Sequence, residues 1–295
     1  MRAFVAGWVW AILVTAAWGA DPVRVVTTLP DLADWVRQVG GEQMEVTSLL
    51  RGFENPHTYE PKVSDVKAVA GARLLVTVGL GLEEWTAGLV ENARNGDLLV
   101  VEAGREALRG GARPDRGAGH PHPEGNPHVW LDPDKAARMC RAIARGLETV
   151  DPAGRDGYRA RLARYLERLE ATAARLRRRV AALPDRRFLS YHPAWPHFAR
   201  GLGFELVGVV TEVPGREPSA RALAALVNRI RKEKIRVLAT EPQLSSKLPE
   251  LLRQETGIRV VSLSPLLGSG PAADYLELLE ANASALIAAL EGAQR

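Results

Sequence analysis

The fold is decided by residues 151–183, DPAGRDGYRARLARYLERLEATAARLRRRVAAL, which separate two stretches of similar pattern and predict one long helix. Leucine, alanine and valine recur in this segment every three or four residues, as on the buried face of an α-helix. Asp151 and Pro152 suit the cap and the first position of a helix, and Pro184 ends it. About 33 residues at 1.5 Å each give ~50 Å, which is longer than the usual globular helix. Because the apolar stripe does not keep heptads, we predict a rigid connection between two lobes rather than a coiled-coil dimer.

On either side of this helix, short apolar runs rich in β-branched residues alternate with helical patterns. The predicted strands are 23–28, 46–50, 74–78 and 98–101 before the helix, and 188–191, 206–210, 237–240 and 260–263 after it. The helical patterns are 32–39, 63–70 and 84–93, then 196–201, 220–232, 247–256 and 272–290. Residues 104–127 carry no periodicity and predict an exposed loop. This order predicts an α/β fold of two lobes, each with a parallel sheet flanked by helices.

The first residues predict a targeting segment. A basic residue, Arg2, precedes an almost wholly apolar run over residues 3–17, and small residues stand three and one positions before a cut after Gly19. This arrangement predicts a secretory signal peptide over residues 1–19, with a single membrane anchor as the alternative. The expected organisation is then an amino-terminal lobe (20–150), a linking helix (151–184) and a carboxyl-terminal lobe (185–295). We expect a periplasmic or extracytoplasmic protein with no stable membrane insertion after cleavage.

Composition and cysteine usage narrow the function classes. The 295 residues include 39 basic and 35 acidic side chains and are 46% hydrophobic, which excludes a disordered tail, a collagen-like fibre and a disulfide-rich miniprotein. The excess charge of +4 is small and dispersed, so we expect no nucleic-acid partner. Cys140 is the single cysteine and lies in a helical run, where we expect it to be buried. Any metal must therefore be held by histidines and carboxylates.

Three histidines stand in turns that contain proline: His57 in NPHTYEP (55–61), His128 in NPHVWLDP (126–133) and His192 in SYHPAW (190–195). In open α/β sheets such turns gather at the carboxyl ends of the strands, where ligands bind. Three neutral imidazoles with one further ligand make a four-coordinate zinc site. Taken one at a time, each histidine fits a surface or capping role as well.

These phrases resemble the three metal-binding signatures of one family, the zinc/manganese solute-binding proteins of ABC importers (ZnuA/TroA-like receptors, cluster A-I). The resemblance extends over residues 23–290 and includes SDV (64–66), EPS (217–219) and TEPQ (240–243). It implies a metal bound between the lobes by His57 and His128 from the first lobe and His192 from the second, with no catalytic residue. It also implies a monomer that delivers the ion to an ABC permease and its ATPase.

Two features of the family pattern concern the metal. Manganese-selective relatives carry a carboxylate where His192 stands, so the imidazole here favours Zn²⁺ over Mn²⁺ as the transported ion. Many relatives also offer an aspartate from a late loop, but the matching stretch here is LSPL (263–266). The fourth ligand is left open among a water, the neighbourhood of Ser264, and Glu241 as a ligand or as support for one.

The remaining histidines are placed outside the main site. His120 and His122 occupy the short counterpart of a longer histidine-rich loop in zinc-type relatives, and weak metal gathering or a plain solvated loop would both fit. His197 stands where relatives have an aromatic ring, which indicates a structural role. Because three histidines with an open position also describe catalytic zinc, the alternative function is an exported zinc hydrolase with Glu241 as base.

Overall fold

The computed structural model describes residues 21–108, 125–211 and 218–292. Two four-stranded sheets are present in these ranges, and every pairing within them is parallel. The first sheet contains β1 (Val23–Thr27), β2 (Met44–Ser48), β3 (Leu74–Thr77) and β4 (Leu99–Glu102), in the order β2-β1-β3-β4. The second contains β5 (Arg187–Ser190), β6 (Glu205–Val209), β7 (Val237–Thr240) and β8 (Arg259–Ser262), in the order β6-β5-β7-β8. The predicted α/β fold of two lobes is confirmed.

Helices flank both sheets. The first lobe carries α1 (Pro30–Gly40), α2 (Val63–Ala70), α3 (Thr86–Ala93), α4 (Ala103–Ala107) and α5 (Pro133–Val150). The linking helix is α6 (Arg155–Ala181), and the second lobe carries α7 (Pro196–Leu202), α8 (Ala220–Glu233), α9 (Lys247–Thr256) and α10 (Tyr275–Gly292). All eight predicted strands occur within two residues of their expected ends. The central strands β1, β3, β5 and β7 are mostly buried, as expected of parallel strands covered by helices, whereas the edge strands are partly exposed.

Two expectations about local structure were wrong. The linking helix begins at Arg155, not after Asp151, because residues 152–154 form a separate 3₁₀ turn. The Asp151 carboxylate accepts the hydroxyl of Tyr158 instead of capping the helix. The predicted loop 104–127 begins inside α4, and its last residues 125–127 are buried rather than exposed. Asn126 bonds to Pro193 and His197 of the second lobe, which apolar patterning within one segment could not indicate.

The linking helix has 27 residues and spans ~40 Å. One stripe of it is buried: Tyr158, Tyr165, Leu169, Ala173, Leu176 and Val180. This stripe packs against α1 and α5 of the first lobe and α7 and α10 of the second, so the helix belongs to both lobes. The main apolar core is likewise continuous across the lobes, and a smaller core covers the other face of the second sheet.

Some expectations fall on residues outside the described ranges. These are the signal peptide over 1–19, the histidines at 120 and 122, and Glu217. Cys140 is buried, as expected. In the part of the chain that the structure describes, no helix combines the length and apolar character needed to cross a membrane.

Candidate metal centre

Three imidazoles from three distant turns meet between the two sheets. One ring nitrogen from each of His57, His128 and His192 lies within 4.8 Å of the other two. The Nε2 atoms of His57 and His128 are 3.3 Å apart, and the ring of His192 is 5.2 Å from that of His128, centre to centre. His128 and His192 are buried, and His57 is half-buried. The sequence therefore predicted which histidines come together, although they are separated by 71 and 64 positions along the chain.

His57 lies in a turn that follows β2 and is fixed by its neighbours. Its backbone N–H donates to the Asn55 side chain at 3.0 Å, and Trp85 Nε1 donates to the Pro56 carbonyl at 2.8 Å. The Tyr59 hydroxyl donates to Asp65 at 2.7 Å and its ring contacts Trp85, which connects the turn to α2 and the start of α3. Burial, and hydrogen bonding to Asp65, raise the pKa of Tyr59 above its usual value, so it stays a neutral donor.

His128 immediately precedes the short turn that leads into α5. The side-chain oxygen of Asn126 lies 3.0 Å from the His128 backbone nitrogen and 2.8 Å from its Nδ1. The side-chain nitrogen of Asn126 donates to the Pro193 carbonyl of the other lobe at 2.7 Å. The adjacent Trp130 is fully buried, and its Nε1 donates to Pro265 at 2.8 Å. This turn is thus held from both lobes.

His192 follows β5, and Glu241 follows β7, the neighbouring strand. Their side chains approach to 3.3 Å between His192 Nδ1 and a Glu241 oxygen, and Trp195 Nε1 donates to the same oxygen at 3.0 Å. Glu241 and Trp195 are both buried. Among the described residues, the cluster of mutually close ligand atoms comprises the three imidazoles without Glu241. That position suits a carboxylate that orients a ligating ring better than a fourth ligand.

The late loop after β8 forms the remaining wall with Pro265 and Leu266. The Ser264 hydroxyl donates to the Leu266 carbonyl at 2.8 Å and also contacts Ser269, so it bonds within its own loop. The loop is fastened to α1, because Leu267 N–H donates to Asp31 at 3.2 Å and Tyr275 N–H donates to Asp34 at 3.0 Å. Burial raises the pKa of Asp31 to about 7, and it also raises that of Asp34.

The lobes are in direct contact beside the cluster. Gly52 has φ +104°, and a Cβ there would overlap the backbone of Leu267, so a side chain at this position would force the lobes apart. Gln243 of the second lobe donates to the Gly52 carbonyl at 2.6 Å. The cavity between them has a volume of about 40 Å³, which accommodates a cation with about one water. Its lining comprises Glu54, Asn55, Pro56, His57, His128, Trp130, His192, Glu241, Gln243, Leu244, Pro265 and Leu266.

Sequence reasoning missed Asn126 and Gln243 as parts of this site. The signal for Asn126 was available, because asparagine two positions before a ring can accept from the following backbone. Gln243 gave no signal, since its partner lies 191 positions away in the chain. His197, expected to be structural, is buried in α7 and bonds to the Asn126 carbonyl and to Lys135.

Two α/β lobes that share a continuous core, with a small cavity lined by three imidazoles between them, define a bilobal solute-binding receptor of the metal-binding type. The chain belongs to the family described as "Zinc-uptake complex component A periplasmic" (ZnuA), whose model matches residues 25–289. This is a family of solute-binding receptors and not of enzymes.

Individual relatives agree with this assignment. A Treponema pallidum (strain Nichols) protein named for metal binding is 29% identical over a 270-residue alignment that covers 89% of this chain and 85% of that protein. The zinc-binding lipoprotein AdcA of Streptococcus pneumoniae (strain TIGR4) is 27% identical over 90% of this chain, which spans 55% of AdcA. A crystal structure of ZnuA superimposes with a TM-score of 0.80 at 30% identity, covering 91% of this chain and 99% of that one.

Proposed function

We propose that this protein is an extracytoplasmic receptor that binds zinc with high affinity through His57, His128 and His192. It then delivers the ion to the permease of an ABC transporter and its ATPase. The observation that carries this proposal is the cluster of three ring nitrogens, contributed by both lobes and lying within 4.8 Å of one another. Family membership and the zinc named in the AdcA relatives support it.

Zinc is favoured over manganese by the chemistry of the cluster. All three candidate ligands are imidazoles, which suit zinc, whereas carboxylates and water suit the harder Mn²⁺. We infer that a water completes the four-coordinate shell, because the Ser264 hydroxyl bonds within its loop and Glu241 lies behind His192. Competition between the two ions in one titration will rank them, and tighter binding of manganese would contradict this choice.

The hydrolase alternative has no support from the relatives, and the site argues for binding without catalysis. The cavity of about 40 Å³ is small beside the pockets of about 300–1,000 Å³ that bind organic ligands. The family contains receptors rather than enzymes. We therefore infer that the zinc-loaded protein turns over no ester, phosphate or peptide substrate, and a substrate screen tests this.

The remaining parts of the proposal concern the whole chain. We infer a monomer whose lobes, residues 20–150 and 185–295, are held by the linking helix, after removal of residues 1–19 during export. The periplasmic component named by the family supports an extracytoplasmic location. Capture of the permease by the zinc-loaded chain, and not by the zinc-free chain, would test the partner.

The decisive experiment is calorimetric titration of the metal-free chain with zinc. The double variant His57→Ala/His128→Ala is expected to lose high-affinity binding, because two of three ligands are gone. The matched control is His120→Ala/His122→Ala, which removes the same number of imidazoles and is expected to bind one zinc as the unmodified chain does. No zinc binding by the unmodified chain, or equal binding by the His57/His128 variant, would refute the proposal.

A further inference from the structure

We propose that Asn126 is a positioning residue for the metal site, on the premise of the zinc-receptor function above. Its side chain selects the ring nitrogen that His128 offers to the metal, and it ties that ring to the turn that carries His192. Both effects come from one buried amide that bonds to both lobes.

The orientation of the Asn126 amide is dictated by backbone groups. A backbone N–H can only donate and a backbone carbonyl can only accept. The group facing the His128 N–H at 3.0 Å is therefore the amide oxygen, and the group facing the Pro193 carbonyl at 2.7 Å is the NH₂. A flipped amide would put donor against donor and acceptor against acceptor in a buried place, where polar groups without a matching partner are strongly unfavourable.

The amide orientation in turn fixes the protonation of His128. Nδ1 of His128 lies 2.8 Å from the Asn126 oxygen, which can only accept, so Nδ1 carries the proton of the neutral ring. Nε2 is then left with its lone pair, and this is the atom that lies 3.3 Å from His57 Nε2 inside the cluster. A ring held in this tautomer needs no proton rearrangement before it binds a cation.

The backbone of Asn126 is held by the second lobe as well. Lys135 can only donate, so Nδ1 of His197 accepts from it and Nε2 carries the proton that goes to the Asn126 carbonyl at 2.9 Å. His197 belongs to α7 of the second lobe, whereas Lys135 belongs to α5 of the first. Asn126 is thus fixed at its carbonyl and at its side chain, and its Pro193 contact lies one residue from His192.

The chain offers a matched control, because the tripeptide Asn-Pro-His occurs twice. Asn55 stands before His57 as Asn126 stands before His128, and each side-chain oxygen accepts the backbone N–H of its histidine at 3.0 Å. Within the described residues, the Asn55 side chain makes this one hydrogen bond. The Asn126 side chain makes two more, one to the ring nitrogen Nδ1 of His128 and one to the Pro193 carbonyl of the other lobe. Asn126 and Asn55 therefore share a capping role, and only Asn126 has the proposed positioning role.

The test compares Asn126→Ala with Asn55→Ala. Zinc affinity is measured at pH 7.5 by competition with a chelator, and the tautomer of each histidine is read from imidazole ¹⁵N shifts in the metal-free chain. We expect Asn126→Ala to weaken zinc binding about 10- to 100-fold and to give His128 a mixture of tautomers. Asn55→Ala removes the acceptor for the His57 backbone N–H, so we expect a smaller loss of zinc affinity than in Asn126→Ala and an unchanged tautomer of His128. Asn126→Asp, which keeps the acceptor, is expected to restore the Nδ1–H tautomer.

The outcomes separate this inference from the proposed function. If the unmodified chain binds no zinc, the receptor function fails. If it binds zinc and Asn126→Ala binds equally well, or as weakly as Asn55→Ala, the positioning role fails while the receptor function stands. Should Asn126→Ala not fold, the unmodified chain decides, because a His128 ring protonated at Nε2 in the metal-free protein would overturn the inference.

Discussion

The two lobes are built on one plan and use it differently at the metal centre. Both sheets have the same strand order, and in each the central pair is followed by turns at the carboxyl ends of the strands. In each lobe a buried glutamate follows the third strand along the chain: Glu83 follows β3 and Glu241 follows β7. Glu83 accepts from the Thr28 hydroxyl at 2.7 Å and from two backbone N–H groups, whereas Glu241 faces His192. The strand order therefore determines where the crevice forms. The individual side chains at the strand ends determine whether a polar group there stabilises the fold or contacts the metal site.

The helix after the first strand of each sheet also carries a corresponding residue. α1 begins Pro30-Asp31 and α7 begins Pro196-His197, and in both the second residue is buried and bonds to the opposite lobe. Asp31 accepts from Leu267 of the late loop, and His197 bonds to the Asn126 carbonyl. The first bond holds the late loop against α1, and the second holds the segment before His128 against α7, so both walls of the cluster are fixed to the opposite lobe. The lobes thus hold each other by similar means even though they supply different numbers of imidazoles.

The largest expected effect comes from removing the imidazole supplied by the second lobe. Apparent free energies of about 10–16 kcal/mol for tightly bound zinc, divided over three imidazoles, give about 4 kcal/mol each, or about a thousandfold in Kd. We expect His192→Ala to weaken zinc binding by this factor, as His57→Ala does. The measurement is chelator competition on both variants, with thermal unfolding of the metal-free chains as the control for folding. Retention of wild-type affinity by His192→Ala would mean that the first lobe binds the ion alone.

The features that could be predicted from the sequence are those whose signal lies within one short segment of the chain. Strand and helix positions were predictable because apolar periodicity is a property of each segment, and the cluster was predictable because His57, His128 and His192 lie in recognisable phrases. The bonds across the lobes were not predictable, since Asp31, His197 and Gln243 find partners more than 70 positions away. Residues 125–127 are buried, and this was missed for the same reason, because Asn126 bonds to Pro193 and His197 of the second lobe.

An effect at most as large is expected on stability, from the Asp31 contact. Burial raises the pKa of Asp31 from 3.8 to about 7, and the neighbouring Asp34 adds to this, so the folded chain binds this proton more tightly than the unfolded chain. Between about pH 4 and 7 the free energy of unfolding therefore falls as pH rises, by up to about 4 kcal/mol from this group. Asp31→Asn keeps an acceptor for Leu267 and is expected to remove that slope and to stabilise the metal-free chain above pH 7. Urea unfolding at pH 5, 6, 7 and 8 measures it, and a slope unchanged by the substitution would rule out Asp31 as its source.

The smallest effect is expected from exchanging the two corresponding glutamates for glutamine. Glu241→Gln keeps an acceptor for Trp195 but removes the charge beside His192, so we expect zinc to bind about 10- to 100-fold more weakly, with stability nearly unchanged. Glu83→Gln is expected to lower stability by about 1–3 kcal/mol and to leave zinc affinity nearly unchanged. The reason is that the new NH₂ group would face one of the three donors that Glu83 now accepts from: Thr28, Val78 and Gly79. Chelator competition gives the zinc affinity of each variant, and urea unfolding gives its stability. A thousandfold loss in Glu241→Gln would instead make its carboxylate a direct ligand, equal to the imidazoles, and would exclude water from the fourth position.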